Sequence, residues 1–321
     1  MKLLSAQGRR RSFVPDASFQ TPNVMAVKFS MARVAKTNRR DTTGDASRPG
    51  KIPRASELPD AASATKMALV PPTPEVLRKI GQAELAVGVD IETADWTDQK
   101  HPLHKGQFGF YTMRGADVFD QRIVQIGWSI QGVARDSLAA EHCELIVQPS
   151  GFEIATKAAK LHGVTNERAW KEGQPLHVVL ERFMLAMKEA HERGGRSIIQ
   201  HLEFDAGIID RELGNAKLDS WIPLWRDIAK QGFCTMDPDI GKWIQMCRGR
   251  AFDAYVDSVS VLGLDKTLNL LAPALPVTKD VEEFRASKIH TAGADARMHC
   301  LIYVVLRELC AKAGTPKDAS L

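Results

Sequence analysis

Asp90 and Glu92 stand two residues apart at the end of an apolar run, residues 85–96, which read LAVGVDIETADW. A short Val- and Ile-rich run ending in turn-tolerant residues reads as a buried strand of an α/β sheet. Strand side chains alternate, so Asp90 and Glu92 share one face and Ile91 takes the other. Packing supplies no reason for two acids there. Two anions on one face repel unless a cation joins them, and hard divalent cations such as Mg²⁺ or Mn²⁺ bind carboxylate oxygens without help from Cys or His. A strand terminus with two solvated acids is the competing explanation, and Asp-x-Glu alone does not separate the two.

Two further stretches carry residues of the same chemical type. In residues 200–213 (QHLEFDAGIIDREL), Phe204, Ile208, Ile209 and Leu213 form a helical face, with Asp205 near the helix start. The helix dipole favours an acid there, so capping alone would account for Asp205. Residues 287–309 (SKIHTAGADARMHCLIYVVLREL) read as a long helix whose buried face is Met298, Leu301, Ile302, Val305 and Leu306. His290 and Asp295 sit near its beginning, and Asp295 borders the buried stripe. An ionised group beside a core needs a partner, and a metal ion is one.

The elements that must position these residues are read from periodicity. Strands are expected at 122–130, 144–148, 196–200 and 233–235, and helices at 153–161, 175–191 and 238–247, with another opening at 267–271. The stripe Leu176, Val179, Leu180, Phe183 and Met187 is core, and Gly194-Gly195 breaks that helix. Residues 214–266, with Trp221, Trp225 and Trp243, show little period beyond the elements just named. Residues 93–121 interleave Trp96, Phe108, Phe110 and Tyr111 with Lys100, His101, His104, Lys105 and Arg114. Aromatic faces with cations stack bases and hold phosphates. A long hairpin packing its own aromatics would use the same residues.

Charge divides the chain. Residues 1–50 hold ten Lys or Arg against three Asp or Glu, leaving 33 against 36 for the remainder, so the net charge of +4 belongs to the N-terminal extension. Residues 1–75 contain Arg9-Arg10-Arg11, Arg39-Arg40 and several prolines without sustained periodicity, and are expected to be mostly disordered. An Arg-rich, acid-poor start fits an organellar targeting segment, a nuclear signal or a nonspecific nucleic-acid tail, all intracellular. The longest apolar run, residues 300–306, is seven residues, too short to span a membrane. Cys143, Cys234, Cys247, Cys300 and Cys310 show no Cys-x-x-Cys spacing, which argues against a zinc ribbon or a disulfide framework.

Taken in order, Asp90-x-Glu92, Phe204-Asp205 and His290-x-Ala292-x-x-Asp295 resemble the three motifs of the DEDDh (DnaQ-like) 3′–5′ exonuclease family. RIVQIG at 122–127 and LHGVT at 161–165 are similar to further phrases of that family, and the resemblance covers roughly 85–311. It implies an α/β, ribonuclease H-like domain over 76–315, with a central mixed five-stranded sheet flanked by helices. It also implies two divalent cations, Mg²⁺ or Mn²⁺, held by Asp90, Glu92, Asp205 and Asp295, with His290 as general base. The expected substrates are single-stranded DNA or RNA 3′ ends, with a polymerase or repair complex as a partner class and no membrane. Thr93, His162, Val164 and His201 are the expected substrate contacts. His201 replaces the Asn that many relatives carry four residues before the second-motif Asp, and 93–121 is longer than the usual connection. RNA 3′-end trimming and a noncatalytic nucleic-acid-binding or polymerase-docking module remain the alternatives.

Overall fold

The computed structural model describes residues 67, 69–95, 103–113, 121–134, 141–248, 264–275, 279–287 and 290–314. Up to residue 66, the extension expected to be disordered lies outside them, as do Trp96, Lys100, His101 and Arg114 of the 93–121 segment. The chain runs α1 (Pro74–Ile80), β1 (Leu85–Thr93), β2 (Leu103–Lys105), β3 (Tyr111–Met113), β4 (Ile123–Gly132), β5 (Glu141–Ile146), α2 (Thr156–His162), α3 (Asn166–Glu172), α4 (Leu176–Glu192), β6 (Gly195–Ile199), α5 (Leu202–Asn215), α6 (Ile222–Gln231), β7 (Phe233–Cys234), α7 (Pro238–Cys247), α8 (Leu264–Leu271), α9 (Lys279–Ala286) and α10 (Ala292–Gly314).

Five strands form one mixed sheet in the order β5-β4-β1-β6-β7, and β2 and β3 form a separate hairpin. β4 lies antiparallel to both β1 and β5, while β6 runs parallel to β1 and β7. This is the central mixed five-stranded α/β sheet expected from the sequence, with β1 at its centre. Alternation along β1 divides the core. Val87, Val89 and Ile91 pack with Phe183 of α4, Ile208 of α5 and Trp225 of α6. Ala86 joins the opposite cluster, with Ile240 of α7, Leu268 of α8 and Ile302 of α10. Each fully buried Leu, Ile or Phe contributes roughly 1.5–3 kcal/mol, so the two layers hold the sheet from both sides.

Helix α10 lies unusually close to the sheet. A Cβ on Gly88 would come 1.8 Å from the Ala296 carbonyl oxygen, and one on Gly127 would meet the Ala292 backbone at 2.2 Å. Asp90 pairs with Gly127 across β1 and β4 and shares the face of Gly88, so both β1 acids point toward α10.

Several boundaries differ from the sequence reading. β5 starts at Glu141 and ends at Ile146, and α8 is already helical at Leu264. α10 starts at Ala292, so His290 precedes the helix instead of riding on it. The cause is capping: the Thr291 hydroxyl accepts the Ala294 N–H (3.3 Å) and the Thr291 carbonyl accepts the Asp295 N–H (2.9 Å). Packing also begins ahead of α1, since Met67 is buried and the Trp243 indole N–H donates to the Val70 carbonyl at 3.0 Å.

Candidate active site

Strand β1 supplies Asp90 and Glu92, and the first turn of α10 supplies Asp295. One carboxylate oxygen from each lies within 4.8 Å of the others. Asp205, in the first turn of α5, is close enough for its charge to act on Asp90 and to feel Asp295. Three separate elements therefore bring four carboxylates together. His290 completes the group, its Nδ1 lying 3.2 Å from Asp295 Oδ2.

The electrostatics are those of buried carboxylates crowded together. Burial, then the charges of Asp295, Glu92 and Asp205, pushes the Asp90 carboxyl well above its ordinary range. Burial followed by Asp295 raises Glu92 to about 8, with His290 opposing. Asp205 is raised by burial and then by Asp295. His290 moves to about 9, chiefly because it hydrogen-bonds Asp295. Asp295 Oδ1 is buried without a hydrogen-bond partner. An all-oxygen set of this kind, with an orphaned buried acceptor and self-repelling anions, fits a hard divalent cation.

Side chains from the sheet fix the helix that carries Asp295. Gln125 Oε1 on β4 accepts the Ala292 N–H (3.0 Å), and Glu144 Oε2 on β5 accepts the Gly293 N–H (2.9 Å). Fully buried His299 places Nδ1 3.0 Å from the Val89 carbonyl, which only accepts, so Nδ1 donates and ties α10 to the residue before Asp90. The His290 backbone N–H donates to the Leu161 carbonyl (3.1 Å), and Phe284 of α9 meets the His290 ring edge-on at 5.8 Å. Sequence reading found none of these supports, although a Gln inside the apolar run RIVQIG was a visible signal.

The expected substrate contacts separate into two groups. Val164 is fully buried among Ala94, Val124, Ile154 and Ala169, so its side chain packs a small core. Its N–H donates to His162 Nδ1 (3.1 Å), while His162 Nε2 lies 3.3 Å from the Thr93 carbonyl. Nε2 therefore carries the proton, and burial pushes the imidazole pKa down, which keeps it neutral. His162 is itself buried, and it shapes the strand end through Thr93. The Thr93 hydroxyl donates to the Asp95 carbonyl (3.0 Å). His201 remains half-buried at the start of α5, its ring stacked on Phe204 at 5.2 Å, and burial lowers it to about 4.

No protein-family model matches the sequence, and no curated protein matches it significantly. Solved structures do. Exonuclease I of Methylocaldum szegediense aligns with a TM-score of 0.47 and 15% identity over 71% of this chain and 41% of that one. E. coli exonuclease I in complex with a 5cy-dA13 oligonucleotide gives 0.47 and 12%, over 72% and 42%. A 3′-exonuclease in a structure of 3′-end-specific recognition of a histone mRNA stem-loop gives 0.45 and 10%, over 72% and 65%. The chain thus spans about two fifths of the length of the exonuclease I structures it matches.

Proposed function

We propose that this chain is a metal-dependent 3′–5′ exonuclease of the DEDDh type that releases nucleoside monophosphates from single-stranded nucleic-acid ends. The observation that carries the reading is the convergence of Asp90, Glu92, Asp205 and Asp295 from three elements, with His290 bonded to Asp295. Two divalent cations bound there would clamp the charge of a phosphodiester under attack and acidify a water molecule. Asp90, Glu92, Asp205 and Asp295 would hold them.

The protein's own part is positional. Asp295 accepts from Nδ1 of His290 and leaves Nε2 as the basic nitrogen of the neutral ring, free to take a proton from the attacking water. The anions that raise His290 to about 9 are the proposed cation ligands Asp295 and Glu92, with Asp265 of α8 beside them. Cations bound by those carboxylates would offset the charges that raise His290 and so favour the neutral ring that a general base needs. No helix among the described residues is long and apolar enough to cross a membrane.

The test is chromatographic analysis of products from single-stranded DNA and RNA oligonucleotides incubated with Mg²⁺ or Mn²⁺. Nucleoside 5′-monophosphates appearing from the first time points support the reading. Internal fragments, or tight binding without products, would replace it with endonucleolytic cleavage or a noncatalytic binding module. Preference for the ribo- or deoxyoligonucleotide separates RNA trimming from DNA proofreading or repair.

A further inference from the structure

Helix α2 has only seven residues, yet both of its ends are tied to the tail of β1. Ala155, the residue before it, donates its N–H to the Ala94 carbonyl at 2.8 Å. At the other end the His162 ring, 2% exposed, uses both nitrogens: Nε2–H donates to the Thr93 carbonyl (3.3 Å) and Nδ1 accepts the Val164 N–H (3.1 Å). The second bond closes over Gly163, whose φ of 72° takes the chain out of the helix. A buried imidazole with both nitrogens bonded inside the protein is held in one orientation.

The carbonyl of Leu161, one residue earlier, accepts the His290 backbone N–H at 3.1 Å. Adjacent residues of a single turn therefore join the residue after Glu92 to the proposed base. The two partners are not held equally. Thr93 is fixed independently of α2: it pairs with Ile123 on β4, and the next N–H, of Ala94, donates to the Arg122 carbonyl at 2.9 Å. His290 stands ahead of α10, where the Leu161 carbonyl, Asp295 Oδ2 at 3.2 Å and the Phe284 ring at 5.8 Å surround it. Loosening of the α2 turn is thus taken up at His290 before it reaches Glu92.

We propose that the last turn of α2 is a strut between strand β1 and the proposed general base, and that His162 is the positioning residue that locks it. This rests on the exonuclease reading of the site. The strut sets where the His290 ring stands beside the carboxylates, while those carboxylates bind cations without it. Three substitutions separate its parts. His162→Asn keeps an acceptor close to the place of Nδ1 and stops short of Thr93, whereas His162→Gln carries an amide N–H to the place of Nε2 and restores that donor. His162→Leu removes both bonds.

The experiment uses the full chain and measures steady-state digestion of a single-stranded oligonucleotide in Mn²⁺, with thermal unfolding to establish that each variant is folded. His162→Asn and His162→Leu are expected to lower kcat at least tenfold, while KM and the Mn²⁺ affinity found by calorimetry stay within threefold of wild type. His162→Gln should recover kcat to within threefold. In a His290→Ala background, His162→Asn should lose no more than twofold further, because it acts through that residue. Hydrogen exchange of the metal-free protein reads the strut without turnover: peptides covering 290–296 should exchange at least tenfold faster in His162→Asn, and those covering 85–92 within twofold of wild type. If His162→Leu does not fold, the Asn and Gln variants carry the comparison. Unchanged exchange at 290–296 would overturn the proposal, as would equal kcat losses in both backgrounds. A raised KM at unchanged kcat would overturn it too, since His162 would then be a substrate contact. A wild-type protein that hydrolyses no oligonucleotide would defeat the exonuclease reading, while the exchange comparison would still judge the strut.

Discussion

Glu92→Gln should stabilise the metal-free protein, and by an amount that grows with pH. In the folded chain the Glu92 carboxyl stands at about 8 instead of 4.5, because burial and Asp295 disfavour its charge. The folded state therefore binds a proton that the unfolded state releases. That contribution is fully present below pH 4.5 and is lost as pH rises through about 8. At 1.36 kcal/mol per pH unit, the loss between pH 5 and 8 is on the order of 3 kcal/mol. Glutamine does not titrate, so its advantage over wild type should open across this window. For a domain of this size the difference corresponds to roughly 6–12 °C in Tm at pH 8 and little at pH 5.

The assay is thermal unfolding of both proteins in EDTA at pH 5, 6, 7 and 8, repeated with Mn²⁺. His290, raised to about 9, acts with the same sign in both proteins, because its folded-state proton is also lost as pH rises. Mn²⁺ should restore wild-type stability most at pH 8 and do much less for the variant, since ligand binding stabilises only the state that binds. A wild-type Tm that rises from pH 5 to 8 in EDTA relative to Glu92→Gln would refute the electrostatic reasoning. So would Mn²⁺ stabilisation of equal size in both.

Three other substitutions test the supports around the cluster. Asp205→Ala removes a carboxylate that burial and Asp295 penalise, so it should leave the metal-free Tm unchanged or higher while turnover falls at least a hundredfold; circular dichroism and initial rates check both halves. Gly127→Ala drives a methyl into the Ala292 and Gly293 backbone, which must shift the start of α10; we expect about 1–3 kcal/mol of destabilisation in urea and at least a tenfold loss of turnover. Gln125→Leu deletes the acceptor of the Ala292 N–H and should cost about 1–2 kcal/mol in urea, with retained Mn²⁺ binding by calorimetry.

Much of this arrangement was legible in the sequence because its signals are local. The Val-rich run into Asp90, the stripe of α4 and the Pro238 start of α7 each follow a period that a short window contains. The carboxylates were legible because acids beside apolar periodic faces conflict with packing. The supports were not, since they join distant segments: Gln125 to Ala292, Glu144 to Gly293, and Leu161 to His290. His290 was misassigned to the helix because Ser287 onward satisfies helical spacing, while the Thr291 cap starts the helix later. The packing of Val164 with Ala94, Val124, Ile154 and Ala169 was likewise hidden, because those residues lie in separate segments.

The most direct test of the central claim is digestion of 3′- and 5′-labelled single-stranded oligonucleotides by the full chain in Mg²⁺, Mn²⁺ or EDTA, beside His290→Ala. The account predicts immediate release of labelled mononucleotide from the 3′ end with either metal, none in EDTA, and at least a hundredfold slower release by the variant. Cleavage that persists in EDTA, begins at the 5′ end or survives His290→Ala at full rate would contradict it.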